Sequence, residues 1–131
     1  MPGRAGGASS GAMDLNAVRY DGGLPVDGYG PGFFRVGGTA HAGAVIVHEG
    51  GVVAWDGRDP APLVALAASV DVVLMGTGAE IAHAPADLRA AVEGAGMGLE
   101  TMNSPAACRT YNVLVGEGRR VAAALRPVGG Q

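Results

Sequence analysis

The sequence predicts an α/β fold: a single three-layer domain in which helices cover both faces of a central mixed β-sheet, with an N-terminal β-hairpin. Short apolar runs ended by glycines alternate with amphipathic stretches that begin at a proline. The 131 residues suffice for one core of two or three layers. Hydrophobic residues make up 48% of the chain and charged residues only 16%, which is typical of a chain that buries a core.

The domain is expected to span residues 26–128. Residues 1–25 are rich in Gly, Ser and Ala, and we interpret them as a disordered tail, with residues 129–131 as a disordered end. A degenerate organelle-targeting segment at the start is the alternative. The start has no apolar stretch typical of a secretory signal, and no apolar run reaches the roughly 20 residues that span a bilayer. We therefore expect a cytoplasmic protein with no transmembrane segment.

The first elements are a hairpin and a helix. In HAGAVIVHEGGVVAW, two β-branched runs flank residues 49–51 and predict two strands joined by a tight glycine turn. Asp59 followed by Pro60 predicts a helix start, with Asp as the N-cap and Pro in the first turn. Apolar residues follow at the spacing of an amphipathic helix: Leu63, Leu66, Ala67 and Val70.

Strands and helices then alternate. VDVVLMGTG is a continuous apolar run ended by glycines, which predicts a strand buried on both faces. A second helix is predicted from Pro85, and MGLETM predicts the strand after it. Ser104, as N-cap, and Pro105 predict the start of a third helix, which ends at Gly116 or Gly118. RRVAAALRP is the last predicted strand.

Several functions are excluded or disfavoured by composition. Every basic residue is Arg, which excludes Schiff-base chemistry and a phosphate loop built around Lys. The net charge of −3 argues against nucleic-acid binding. His41 and His48, if they share one strand, point to opposite faces, and His83 is remote in sequence. We therefore predict no metal site, and the motifs indicate no cofactor.

Cys108 is the one residue that suggests a nucleophile. It shares the apolar face of the third helix with four other residues: Ala107, Tyr111, Leu114 and Val115. Burial raises the pKa of a thiol, whereas a helix N-terminus favours the thiolate. A core cysteine is the preferred interpretation, and an activated nucleophile is the alternative.

A candidate crevice lies after the strand VDVVLMGTG. Glycines at the carboxyl end of such a strand let backbone N–H groups face the place where α/β proteins bind ligands. The alternative is a tight strand-to-helix turn. The polar flank of the third helix could face the same crevice, since the first turns of a helix favour an anion. The candidate ligand or partner crevice therefore comprises Gly76, Thr77, Gly78, Cys108, Arg109 and Asn112. For Arg109, an ion pair with a carboxylate such as Glu80 or Glu117 is the alternative.

Three segments together carry a family resemblance: VDVVLMGTG, PADLRAAVEGAGMGLETM and SPAACRTYNVLVGEGRRVAAAL. They resemble a family of small α/β proteins of unknown function that includes mitochondrial NADH:ubiquinone oxidoreductase (complex I) assembly factor 3 and the adipogenesis-associated domain protein. The resemblance covers roughly residues 26–128. It implies a three-layer fold with a mixed sheet and no established catalytic residues. It also implies partners among membrane-complex subunits or assembly factors.

The sequence thus predicts a non-catalytic protein-interaction module of a bacterial cytoplasm, which reaches a membrane only through its partners. Homo-oligomer formation stays open. The alternative function is a small-molecule or anion-binding protein, or an enzyme, that uses the crevice after Gly76-Thr77-Gly78. An interaction module should expose an apolar patch, whereas a ligand-binding protein should have a concave pocket with converging polar groups.

Overall fold

The computed structural model describes residues 24–129, so most of the predicted tail and end lie outside the described residues. The described part is one α/β domain, as predicted. Its elements in chain order are β1 (Val26–Gly30), β2 (Phe33–Val36), β3 (Thr39–Ala42), β4 (Val45–His48), β5 (Gly51–Ala54), α1 (Ala61–Val64), β6 (Val72–Gly76), α2 (Ala86–Gly94), β7 (Gly98–Met102), α3 (Ser104–Gly116) and β8 (Val121–Leu125).

The central sheet has five strands in the order β5-β4-β8-β6-β7. β4 is antiparallel to both β5 and β8, and β6 is parallel to both β7 and β8. The sheet is therefore mixed, and the predicted hairpin forms one edge of it. Its centre is β8, the last of the described strands along the chain.

A second sheet was not predicted. β1, β2 and β3 form an antiparallel sheet of three strands, joined by the two-residue turns 31–32 and 37–38. Gly37 and Gly38 both have positive φ, at +55° and +87°, as a tight hairpin turn requires. Phe34 and Val36 alternate inward on β2 and are buried. Glycines of this stretch, which in the sequence suggest an irregular loop, thus lie in two hairpin turns.

Two clusters of buried residues separate the three layers. On one face of the central sheet, α1 and α2 cover Ile46, Val73 and Met75. On the other face, α3 and the three-stranded sheet cover Val47 and Leu74. β8 contributes to both clusters, because alternate residues of a strand point to opposite faces: Val121, Ala123 and Leu125 to one, Ala122 and Ala124 to the other. The predicted three-layer arrangement is confirmed.

Three local predictions need correction. The first helix begins at Ala61 rather than at Pro60, and Asp59 Oδ1 accepts a hydrogen bond from the N–H of Ala61. Its α-helical part has only four residues. His41 belongs to β3 and His48 to β4, so the two histidines lie in different sheets.

No helix within residues 24–129 combines the length and hydrophobicity needed to cross a membrane.

The N-cap of α3 is Asn103, not Ser104. Asn103 has an extended backbone, and its Oδ1 accepts a hydrogen bond of 2.9 Å from the N–H of Ala106. Ser104 is the first residue inside the helix, and it is completely buried. The predicted cap lies one residue too late, because Asn and Ser are both good N-caps and both precede Pro105.

Candidate functional site

The carboxyl end of β6 is fastened to the start of α3. The Ser104 hydroxyl accepts a hydrogen bond of 2.9 Å from the N–H of Gly78 and donates one of 2.6 Å to the carbonyl of Arg126. The N–H of Ser104 donates in turn to the carbonyl of Gly78 at 2.7 Å. These bonds hold together the ends of β6 and β8 and the first turn of α3. They also occupy the backbone N–H of Gly78, which the predicted crevice would have offered to a ligand.

A pocket of about 760 Å³ opens at this end of the sheet. Because β6 and β8 are adjacent and parallel, the residues that follow them, Thr77 and Arg126, meet at the same edge. The opposite wall comes from the three-stranded sheet and the segment after β5. We call this cavity the strand-end pocket, and its lining residues are Gly32, Ala42, Gly43, Ala44, Trp55, Asp56, Gly57, Arg58, Thr77, Arg126 and Pro127.

Two arginines and one aspartate are the charged residues of the strand-end pocket. The Nε of Arg126 donates to the carbonyl of Gly57 at 2.9 Å, which fixes the direction of its guanidinium. The Asp56 Oδ1 accepts hydrogen bonds from the N–H groups of Asp59 and Arg58, and these bonds lower the pKa of that carboxyl. Asp56 therefore stays ionised and shapes its loop, while its carboxylate pairs with neither pocket arginine.

The predicted crevice residues do not converge on this pocket. Thr77 alone of the six lines it, whereas Gly76 and Gly78 are buried and do not line it. Cys108 lies in the core between α3 and the sheets. Asn112 bonds the backbone of β1, accepting from the N–H of Val26 at 2.8 Å and donating to its carbonyl at 2.9 Å.

Through these two hydrogen bonds, Asn112 links α3 to the three-stranded sheet. In the sequence, by contrast, Asn112 lies on the same polar flank of the helix as Arg109. Arg109, by contrast, is exposed, and its side chain makes no hydrogen bond or ion pair with any residue from 24 to 129. The ion pairs suggested with Glu80 or Glu117 do not form. The two polar residues of α3 thus have different surroundings, one structural and one free.

The profile of a family described as protein of unknown function (DUF498/DUF598) matches residues 26–126, which is most of the chain. The chain belongs to the DUF498/DUF598 family.

An uncharacterized protein of Rhodobacter capsulatus is 49% identical over 112 residues, covering 85% of this chain and 90% of that protein. Among solved structures, an outer membrane protein from Bartonella henselae matches with a TM-score of 0.75 and 33% identity, over 84% of this chain and 99% of that one. A Bordetella pertussis protein described as a Mth938-like domain matches with a TM-score of 0.68 and 27% identity, over 89% and 94% of the two chains. The expectation that the chain belongs to a family of unknown function is therefore confirmed.

In this DUF498/DUF598 protein, the solvent side of α3 carries a single charge. Three exposed residues and one half-buried residue, spaced three and four apart, lie on this side, and we call them the α3 outer face: Ala106 (half-buried), Arg109, Val113 and Gly116. Val113 is 58% exposed and is the large apolar residue of this face. α2 differs, because its sequence includes Asp87, and Arg89 pairs with Glu93 at 2.9 Å. The exposed side of α2 therefore carries several charged groups that water can solvate, whereas the α3 outer face carries only one.

Sequence reasoning missed the arginines of the strand-end pocket. Arg126 falls within the last predicted strand, RRVAAALRP, but that strand ends at Leu125, so Arg126 directly follows it at the end of the sheet that holds Thr77. Arg58 gave no such signal, because its loop reaches the pocket only through the pairing of β5 with β4. In this DUF498/DUF598 protein, the position of Arg58 along the chain therefore does not reveal that its loop lines the strand-end pocket.

The Cys108 thiol is expected to be unreactive. Burial raises its pKa from 9.0 to about 11, and nearby Arg109 lowers it by a smaller amount. At neutral pH the folded protein then holds about 100-fold less thiolate than a free thiol of ordinary pKa. We expect slow labelling by a disulfide reagent at pH 7, fast labelling once the protein is unfolded in denaturant, and a native rate that rises with pH toward 11. Rapid stoichiometric labelling of the native protein would instead indicate an activated nucleophile.

Proposed function

We propose that this protein is a non-catalytic protein-interaction module that binds a helix of a partner protein through the α3 outer face. The observation that carries the proposal is the near absence of charge on that exposed face. A helix whose solvent side bears few charged groups gains little from contact with water, and it gains more when a partner covers it.

The spacing of the α3 outer face suits a helical partner. Ala106, Arg109, Val113 and Gly116 follow at intervals of three, four and three residues, the spacing along which two helices pack. Ala106 and Gly116 are small and allow a close approach of the partner's backbone. Val113 offers an apolar contact. Arg109, which has no acceptor among the described residues, suits an acidic residue of the partner.

The surroundings of Cys108 support a non-catalytic role. A thiol that is 5% exposed and has a raised pKa is a poor nucleophile. No group of three or more His, Cys, Asp or Glu residues within 24–129 is arranged to hold a metal ion.

The partner we propose is a subunit or assembly factor of a respiratory membrane complex, met in the bacterial cytoplasm. This part rests on the resemblance of residues 26–128 to complex I assembly factor 3. The α3 block SPAACRTYNVLVG is part of the segments that carry this resemblance, and it includes the whole α3 outer face.

Replacing Arg109 with Ala is expected to weaken partner capture about tenfold or more and to leave folding intact. An interface arginine often contributes more than 1 kcal/mol to binding, whereas truncating an exposed arginine usually changes stability by less than about 0.5 kcal/mol. Capture yields and melting temperatures of the tagged protein check both expectations. Arg89→Ala on α2 is the matched control, since it removes the same charge from another helix. Two results would contradict the proposal that the α3 outer face is the binding surface. One is that Arg109→Ala unfolds the domain, and the other is that Arg109→Ala captures as much partner as Arg89→Ala does.

A photo-crosslinking residue at position 113 identifies the partner. We expect a cross-linked product with a different protein from position 113 and none from position 90, on the exposed side of α2. A product of twice the chain's mass would mean that a second copy occupies the face, against the proposal.

Loss of the Rhodobacter capsulatus relative tests the respiratory role separately. We expect less assembled NADH:ubiquinone oxidoreductase on native gels of a strain without that relative, and recovery on expression of this protein. Full assembly without the relative contradicts the complex I role but leaves the α3 contact to be judged by its own experiment.

A further inference from the structure

We propose that the strand-end pocket binds a small organic anion, meaning a carboxylate or phosphate group carried on an uncharged body. This site is distinct from the α3 outer face, which contributes no residue to the pocket lining. The proposal stands on the placement of Arg58 and Arg126, on the charge balance of the lining, and on the volume of the cavity.

The guanidinium groups lining the pocket have donors to spare. Arg126 uses its Nε for the carbonyl of Gly57, and its two terminal nitrogens have no acceptor within residues 24–129. Its position is also fixed from the backbone, because the N–H of Arg126 donates to the carbonyl of Gly76 at 2.9 Å. The side chain of Arg58 has no hydrogen bond or ion pair within the same range, although its backbone N–H is held by Asp56. A planar oxyanion is the partner that guanidinium groups bind best.

The charge of the strand-end pocket lining is opposite in sign to the net charge of the whole chain. The protein carries a net charge of −3, yet the pocket lining has two arginines against one aspartate. The Asp56 carboxylate already accepts two backbone hydrogen bonds and forms no ion pair with either arginine. Outside the pocket, Arg89 and Arg120 each pair with a carboxylate, whereas the other three arginines of residues 24–129 form no ion pair. The arginines of the strand-end pocket are therefore left positive where an anion would neutralise them.

The rest of the lining sets the size and polarity of the ligand. A volume of about 760 Å³ lies in the range of pockets that hold metabolite-sized molecules. Trp55, Ala42, Ala44 and Pro127 offer apolar surface. The Thr77 hydroxyl already accepts from the N–H of Ala82 at 3.0 Å and donates to the carbonyl of Glu80 at 2.7 Å. Recognition of the anion thus falls to the arginines, and the body of the ligand meets apolar groups.

The single tryptophan of the chain makes the pocket directly observable. Trp55 lines the cavity, and its indole N–H donates to the carbonyl of Asp59 at 2.8 Å within the loop that carries Arg58. We would follow its fluorescence and its one indole N–H resonance during titration with benzoate, phenyl phosphate and inorganic phosphate. Benzyl alcohol serves as the uncharged analogue. Benzoate and phenyl phosphate distinguish the two oxyanions, and inorganic phosphate shows whether the body is needed.

We expect a saturable change at Trp55 with at least one of the two aromatic anions, a weaker change with inorganic phosphate, and none with benzyl alcohol. Arg58→Ala should raise Kd about tenfold, since it removes charge-assisted hydrogen bonds to the anion, and its melting temperature should be unchanged. Arg119→Ala, which removes the same charge before β8 at the opposite end of the sheet, should keep the wild-type Kd. No response of Trp55 to any anion, or equal affinity of the Arg58→Ala and wild-type proteins, overturns the proposal.

Discussion

Replacing Gly76 with Ala is expected to lower the free energy of unfolding by about 3 kcal/mol or more. A Cβ at position 76 would lie 2.8 Å from Oγ and 2.9 Å from Cα of Ser104, and 3.0 Å from a methyl carbon of Leu125. The Cα of Ser104 is backbone at the start of α3 and cannot turn aside. The φ of Gly76 is not in the left-handed region, so the cost is steric. Chemical denaturation of the two proteins measures it.

Gly94→Ala is the matched control. Gly94 is exposed at the end of α2, and a Cβ there meets no atom within 4 Å. Ala favours the helix over Gly, so we expect an increase in stability of about 0.5 kcal/mol. If Gly76→Ala were as mild as this control, the contact between β6 and α3 would be looser than described.

Ser104→Ala is expected to cost about 3 kcal/mol, because it leaves two buried backbone groups without their partner. The hydroxyl bridges the N–H of Gly78 and the carbonyl of Arg126, and the residue has no solvent exposure. Water cannot replace either bond without opening the packing of α3 on the sheet. The change should appear as a lower denaturation midpoint with an unchanged slope.

Asn103→Ala separates this role from helix capping. Asn103 makes one capping bond, to Ala106, from a half-buried position, and the loss of an N-cap typically costs about 1 kcal/mol. We therefore expect Ser104→Ala to be clearly more damaging than Asn103→Ala. The reverse order would mean that the hydroxyl bridge of Ser104 contributes less to stability than the cap of Asn103.

The central part of the fold could be predicted from the sequence because its signals are local. Each predicted strand and helix after residue 70 is present: β6, α2, β7, α3 and β8. Continuous apolar runs fit strands that are buried on both faces, and prolines mark where α2 and α3 begin. Strand order was beyond this reasoning, since β8 pairs with β4 and β6 through contacts far apart in the chain.

The three-stranded sheet and most of the site were missed for different reasons. β1 to β3 are short and glycine-rich. Their turns were therefore interpreted as irregular chain rather than as connections between strands of one sheet. Asn112 was interpreted from its position on the helix surface, but a surface position on an isolated helix is covered once β1 packs against it. The strand-end pocket requires five connecting segments to meet, which only the tertiary structure determines.

The central place of β8 has a consequence during protein synthesis. The hairpin β4–β5 and the unit formed by β6, α2 and β7 leave the ribosome first, but no ladder joins them until β8 enters between β4 and β6. A nascent chain halted before Val121 therefore exposes two unpaired edges, rich in Val, Ile and Leu. Such edges promote association between chains. Chaperones that bind extended apolar segments should recognise this chain while it is being made and release it once Leu125 is in place.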